Sequence, residues 1–171
     1  MKADKVYLVG FMGAGKTTVA RALAARLEWR AVDIDEAIEA RERLAVSEVF
    51  ARHGEPYFRS VERAVLMEHL PARHVVVATG GGTYADPQNR AAINADGATV
   101  WLDVPLDRLV ARVPSDGRRP LAADRSGFER LYYQRRAAYQ QAHVRIDAGG
   151  ASVGALVEQL VDWLSGSGAP D

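Results

Sequence analysis

The chain has no cysteine among its 171 residues. That excludes a disulfide framework, a thiolate nucleophile and a Cys-ligated metal. It also lacks an excess of either charge: 22 Lys and Arg face 22 Asp and Glu, for a formal net charge of zero. A general polyanion binder needs a basic surplus to gain from counterion release, so no nucleic-acid partner is expected. Histidine is scarce. His53, His69, His74 and His143 include no H-x-x-x-H pair, and each reads as a surface or helix-end residue rather than a metal ligand. Long apolar runs are missing too. The burst from Val6 to Gly10 is too short for a signal peptide and far too short to span a bilayer, so a cytoplasmic protein with no membrane partner is expected.

What remains suits one domain over residues 1–171. The composition is 48% hydrophobic and 26% charged, an ordinary globular mixture. A chain of this length buries about two-thirds of its unfolded surface, enough for a core without staples. Short apolar runs at Val6–Val9, Ala31–Ile34, His74–Ala78, Thr99–Asp103 and Val144–Ile146 read as strands. Between and after them, helical spacing marks Thr17–Leu27, a stretch around Glu36–Ala40, Val46–Arg52 ending at Gly54, Glu62–Leu70, Leu106–Ala111 and Val153–Leu164. Alternating strands and helices predict an α/β fold: three layers, α/β/α, around a central five-stranded parallel sheet. Pro114 to Gly127 is polar and carries Arg118, Arg119 and Arg125. It reads as a mobile lid, about residues 112–127, with Gly117 and Gly127 as hinges. The small, polar residues 165–171 read as a disordered tail.

Gly10-Phe-Met-Gly-Ala-Gly-Lys-Thr17 fits G-x-x-x-x-G-K-[ST], with an apolar strand before it and an amphipathic helix after it. The glycines let successive backbone N–H groups curl around phosphate oxygens, and the helix N-terminus adds its own donors. Lys16 can reach the β- and γ-phosphates, and the Thr17 hydroxyl can hold Mg²⁺. The chain therefore binds a nucleoside triphosphate.

Three further groups surround this loop. Asp33-Ile-Asp35 ends the second strand, where residues i and i+2 face one way and point both carboxylates into one crevice. Like charges placed together call for a cation or a proton donor between them. The other reading is that Asp35 caps the helix beginning at Glu36. Arg59 and Glu62 stand i, i+3 on a helix and also fit a plain surface pair. Gly80-Gly-Gly82 follows a buried strand, where three glycines are poor for stability because of their ordering entropy. The carboxyl end of a parallel strand is where open α/β sheets place ligands.

Over roughly residues 5–147 this set resembles the shikimate kinase family. The resemblance lies in Gly10-Phe-Met-Gly-Ala-Gly-Lys-Thr-Thr18, Asp33-Ile-Asp-Glu-Ala-Ile-Glu39, Gly54-Glu-x-x-Phe-Arg-x-x-Glu62, Thr79-Gly-Gly-Gly82, Arg119-Pro-Leu121 and Arg135-x-x-x-Tyr139. It implies a P-loop NTPase fold of the nucleoside monophosphate kinase kind. It also implies transfer of the γ-phosphoryl group of ATP to the 3-hydroxyl of shikimate, with Mg²⁺ as cofactor. By the same resemblance Gly13, Ala14, Gly15, Lys16, Thr17 and Thr18 bind the nucleotide, and Thr17 and Asp33 hold the metal shell. Asp35 binds the substrate hydroxyls and accepts the proton of the one that reacts. Arg59 and Arg135 grip the carboxylate, with Glu62 fixing Arg59, in a subregion spanning about residues 33–62. Gly80, Gly81 and Gly82 offer close backbone approach to the ring. Arg119 closes on the transferring phosphate, which with Lys16 and Asp35 makes the catalytic set, and Arg112 stacks over adenine. The partners implied are ATP and shikimate, and a monomer is expected.

The chain departs from the family at a few places. Arg43 and Ala45 stand where the family has Gly and Ser, which removes a turn glycine and a cap hydroxyl. Arg136 sits beside Arg135 and Arg118 beside Arg119, as neighbouring candidates for the same roles. The alternative activity is another small-molecule kinase, with gluconate or a nucleotide as acceptor. A nucleotide acceptor does not need two arginines aimed at one planar carboxylate, a task the guanidinium fork does better than lysine.

Overall fold

The computed structural model describes residues 1–112 and 124–167. The apolar run at the N-terminus becomes β1 (Lys5–Val9), buried at every position. The later runs form β2 (Arg30–Asp33), β3 (Val75–Ala78), β4 (Ala98–Asp103) and β5 (Val144–Asp147). They make one five-stranded sheet, all parallel, in the order β2-β3-β1-β4-β5. β1 lies in the middle, pairing Val6 with Val76 on one side and with Ala98 on the other. Strands covered on both faces need mostly apolar residues, as β3 (Val-Val-Val-Ala) supplies throughout and β4 supplies at Val100, Trp101 and Leu102. The expected sheet is therefore the observed one.

Eight helices complete the described residues: α1 (Lys16–Leu27), α2 (Ile34–Glu42), α3 (Val46–His53), α4 (Glu55–His69), α5 (Pro87–Asp96), α6 (Leu106–Arg112), α7 (Arg125–Tyr139) and α8 (Val153–Ser165). The step from β1 to β2 runs one way along the sheet, and every later step runs the other way. Right-handed crossovers then place α1 on one face and the later connections on the opposite face. α8 returns to pack on α1, with Leu156, Leu160 and Leu164 buried on α8 and Val19 and Leu23 buried on α1. No described helix is long and apolar enough to cross a membrane.

Several boundaries differ from expectation, each for a visible reason. His74 takes a positive φ of 53°, so β3 begins at Val75. α4 starts seven residues before Glu62, at Glu55, because Pro56 in its first turn has no amide to satisfy and a φ already suited to a helix. The spacing pattern gives no sign of α5. Its signal is local: Asp86 accepts from the N–H of Gln88 and of Asn89, and Pro87 follows. Ser165 to Ser167 are not a loose tail. They close α8, with Gly166 in the left-handed region and the Ser167 N–H on the Asp162 carbonyl. Gly127, expected as a hinge, lies in the first turn of α7, where the Asp124 carboxylate caps its N–H. Arg125 and Ser126 of the expected lid likewise belong to the first turn of α7, and its residues 113–123, with Gly117, Arg118 and Arg119, lie outside the described residues, as do residues 168–171.

The amino end of the sheet carries a buried charge. Lys5, fully buried, pairs with Asp96 at 2.7 Å and donates to the carbonyls of His69 and Leu70, closing the C-terminus of α4. Tyr7 and Arg73 also donate to Asp96. Burial holds the Lys5 pKa below its usual value, although the Asp96 carboxylate pulls the other way. The described residues of the motifs gather at the opposite, carboxyl end.

Candidate active site

The phosphate loop leaves the carboxyl end of β1 in the middle of the sheet. Gly10 has φ 147°, and a Cβ there would stand 2.8 Å from the Leu102 carbonyl oxygen, so a side chain is excluded on two grounds. Gly13 and Gly15 also take positive φ, and Gly15 is the N-cap of α1. Lys16, the first residue of α1, is buried and donates to the carbonyls of Gly10 and Phe11 at 2.7 and 2.9 Å. Its ammonium therefore lies along the loop itself. Ala14 is buried in the loop, and Thr18 is exposed in the first turn of α1. Arg112, at the end of α6, donates to the Gly13 carbonyl at 3.3 Å.

The two aspartates do not share a strand face. β2 stops at Asp33, and Asp35 already belongs to the first turn of α2. Asp33 is the helix cap, and Asp35 is not: Asp33 Oδ1 accepts from the Glu36 N–H at 3.0 Å. Its Oδ2 accepts from the Thr17 hydroxyl. The cap geometry thus turns one carboxylate oxygen toward the phosphate loop and leaves Asp35 to project separately, toward the glycine turn after β3.

That turn organises the rest of the site. A Cβ on Gly80 would lie 2.9 Å from Asp35 Oδ1, one on Gly81 would lie 3.2 Å from an Arg135 Nη, and one on Gly82 would lie 2.5 Å from an Arg59 Nη. Three successive glycines thus each back onto a different charged side chain. A Cβ on Gly81 would also be 3.3 Å from the backbone nitrogen of Met12, so the turn touches the phosphate loop.

Arg59 leaves α4 and is held by Glu62 at 3.0 and 3.2 Å, with Glu55 farther off at 3.5 Å. Glu62 is buried and also accepts from the Thr83 hydroxyl at 2.9 Å. The pair is therefore more than a surface contact, because its carboxylate is fixed from below. Arg135 is buried on α7, with its guanidinium 5.8 Å from the centre of the Phe11 ring. Burial, and next to it the approach of Arg59, pull its pKa down, against the phenol of Tyr139. No carboxylate forms an ion pair with Arg135 among the described residues. Arg136 goes elsewhere. It pairs with Asp103 at 2.9 Å and bonds the Tyr132 hydroxyl, lining a separate cleft of about 440 Å³ with Arg145 and Tyr133.

Taken together, the carboxyl ends of β1, β2 and β3 present a phosphate loop, two guanidinium groups, a carboxylate and a side-chain-free turn. Such a set can hold a small planar carboxylate beside a triphosphate, with a hydroxyl near Asp35. Thr17 and Asp33 supply the hard oxygen donors that suit Mg²⁺, which takes few protein ligands and completes its shell with phosphate and water. Among the described residues no three His, Cys, Asp or Glu side chains cluster as a metal cage. Two contributors were not visible in the sequence. Thr83 stands just past the glycines, with no motif to mark it. The Tyr139 hydroxyl donates to the Gly81 carbonyl, a contact that its i, i+4 spacing from Arg135 only hints at.

Comparison with known proteins agrees with this geometry. A family model described as shikimate kinase matches residues 12–165. A shikimate kinase of Persephonella marina is 39% identical over 157 residues, covering 91% of this chain and 96% of that protein. The structure of shikimate kinase from Acinetobacter baumannii in complex with shikimate superposes with a TM-score of 0.92 at 32% identity, covering 95% of this chain and 93% of that one. Deoxyadenosine kinase from M. mycoides shares the fold alone, with a TM-score of 0.63 at 14% identity over 94% of this chain and 99% of that one.

Proposed function

Because the chain belongs to the shikimate kinase family, we propose that the residues gathered at the carboxyl end of its sheet divide the work of that reaction as follows. The enzyme transfers the γ-phosphoryl group of ATP to the 3-hydroxyl of shikimate, yielding shikimate 3-phosphate and ADP. Residues 13–18 cradle the triphosphate, with Lys16 supplying positive charge near the transferring group. Arg59 and Arg135 hold the shikimate carboxylate, and Glu62 keeps Arg59 in place. Asp35 orients the reacting hydroxyl and accepts its proton. Arg112, on the Gly13 carbonyl, lies on the nucleotide side of the loop.

The observation that carries this reading is the glycine turn. The side chains backing Gly80, Gly81 and Gly82 are Asp35, Arg135 and Arg59, the same three that a hydroxylated carboxylic acid would need. Bare glycine backbone there lets a ring approach all three. Thr17 and Asp33 would hold Mg²⁺ through oxygen, directly and through water. When bound, the ion neutralises charge on the β- and γ-phosphates. We place the reaction in the cytoplasm, in a monomer that meets ATP and shikimate as free small molecules.

The test is ADP release with Mg²⁺-ATP and five acceptor conditions: shikimate, its methyl ester, gluconate, AMP and no acceptor. Turnover with shikimate and a large loss with the ester is the expected pattern, since the ester has no carboxylate charge for Arg59 and Arg135. Equal turnover of acid and ester would overturn the carboxylate assignment. Turnover of gluconate or AMP in preference to shikimate would overturn the acceptor.

A further inference from the structure

The three carbonyls of the glycine turn are held in two different ways. Those of Gly80 and Gly82 accept from the backbone N–H of Thr83 and Ala85, both at 3.2 Å, within the turn itself. That of Gly81 accepts from outside, from the Tyr139 hydroxyl on α7. Tyr139 is 1% exposed, and its ring packs 6.0 Å from that of Trp101, so the phenol has little freedom. Burial pushes its pKa well up, against the opposing charge of Arg135, so the group remains a proton donor at any working pH. One turn earlier on α7, the Arg135 guanidinium stands against the Cα of the same glycine.

A peptide unit is planar, with its C=O and the next N–H pointing opposite ways. Fixing the Gly81 carbonyl toward α7 therefore fixes the Gly82 N–H away from it. A chain of three glycines has no side chains to resist a flip of that peptide. We propose that Tyr139 is a positioning residue for the acceptor: its hydroxyl locks the Gly81–Gly82 peptide to the helix that carries Arg135, so that the guanidinium and the glycine backbone keep one spacing across the substrate. This rests on the placement of Arg135 and the glycine turn at the shikimate site proposed above.

Tyr139→Phe removes the donor and leaves the ring. It should raise KM for shikimate about 3- to 10-fold, the scale of one neutral hydrogen bond, while kcat and KM for ATP change far less. Incorporation of 4-aminophenylalanine at position 139 restores a donor and should bring KM back toward the parent value. A tyrosine that only filled the core would lower Tm and the active fraction and leave KM alone. An unchanged shikimate KM in Tyr139→Phe therefore overturns the proposal. If that variant does not fold, 4-fluorophenylalanine, which restores bulk without a donor, is compared with 4-aminophenylalanine. Equal KM values for those two would overturn it as well. Arg135→Ala in the same assay separates the two levels. An unaffected KM there removes the site reading itself, whereas a raised KM beside a normal Tyr139→Phe removes only the role of Tyr139.

Discussion

Arg135 and Arg136 are neighbours on α7, yet their guanidinium groups end in different places. Arg135 turns inward against Gly81 and the Phe11 ring, whereas Arg136 lies on Asp103, 4.9 Å from the centre of the Trp101 ring. Successive residues on a helix diverge by about 100°. One helix thus gives one arginine to the glycine turn and the next to the end of β4.

This separation yields the first prediction. Charge-assisted hydrogen bonds contribute about 1.5–3 kcal/mol each, so Arg135→Ala or Arg59→Ala should weaken shikimate binding about 10- to 150-fold and leave ATP affinity nearly intact. Lysine at either place should rescue only in part, because a point charge cannot reproduce the fork. Arg136→Ala should change shikimate binding by no more than about twofold. Its cost falls on stability, since Asp103 keeps Arg145 but loses a partner. Calorimetric titration of shikimate into each variant decides the matter, and a large loss confined to Arg136→Ala would reverse the assignment.

The aspartates separate by a different logic. Asp35→Asn keeps the shape and weakens proton acceptance, so kcat should fall by about 10²–10⁴ with little change in nucleotide affinity. Asp33 has two jobs, capping α2 with Oδ1 and meeting Thr17 with Oδ2. Asp33→Asn retains an acceptor for the cap but loses the charge. It should raise the Mg²⁺ needed for half-maximal rate about 10- to 100-fold at nearly unchanged Tm. Asp33→Ala should show the same Mg²⁺ shift together with about 0.5–2 kcal/mol of lost stability. An identical Mg²⁺ titration for parent and Asp33→Asn would remove Asp33 from the metal shell.

The sheet and the phosphate loop were legible because their signals are local and periodic: apolar runs, then glycines, then helical spacing. What escaped depended on caps and on tertiary contact. Asp33-Ile-Asp35 looks like strand alternation, but the Asp33 side chain captures the Glu36 N–H and starts a helix one residue later. The Pro87 helix carries few apolar positions and shows itself only through Asp86. That Glu62 is fixed by Thr83, and Gly81 by Tyr139, follows from α4 and α7 each meeting the turn after β3, which no spacing rule contains. Arg43 and Ala45 show the reverse case, where a departure seen in the sequence has a visible structural consequence.

Arg43 carries backbone strain and Ala45 leaves a cap unmade, and substitution should relieve each. Arg43 takes φ 55° as the C-cap of α2, and Ala45 is the N-cap of α3 with no side-chain bond to give. The Glu39 carboxylate serves the Val46 N–H instead, at 3.0 Å. Arg43→Gly should stabilise by about 0.5–1 kcal/mol, the left-handed strain less the added chain entropy. Ala45→Ser should add about 0.5–2 kcal/mol by capping a later amide. Urea denaturation midpoints measure both. A lower midpoint for Arg43→Gly would mean that the Arg43 side chain contributes more than its backbone costs.

Two glycine substitutions should fail in opposite ways. At Gly10 an added methyl meets the Leu102 backbone oxygen at 2.8 Å, and φ is 147°, so neither neighbour nor backbone can yield cheaply. Gly10→Ala should lose stability outright, with a marked fall in Tm and weak binding of both substrates in whatever remains folded. At Gly82 the three atoms nearest the methyl all belong to the tip of Arg59, at 2.5 to 2.7 Å. A flexible side chain can move aside, so Gly82→Ala should fold with a nearly parental Tm. The displaced guanidinium, however, can no longer sit both on Glu62 and across the glycine turn. Shikimate affinity should therefore fall toward that of Arg59→Ala while ATP affinity stays, and the two changes combined should be no worse than Arg59→Ala alone. Thermal melts with paired titrations of ATP and shikimate test this. Fully additive losses in the double variant would show that Gly82 acts on the substrate by some route other than Arg59.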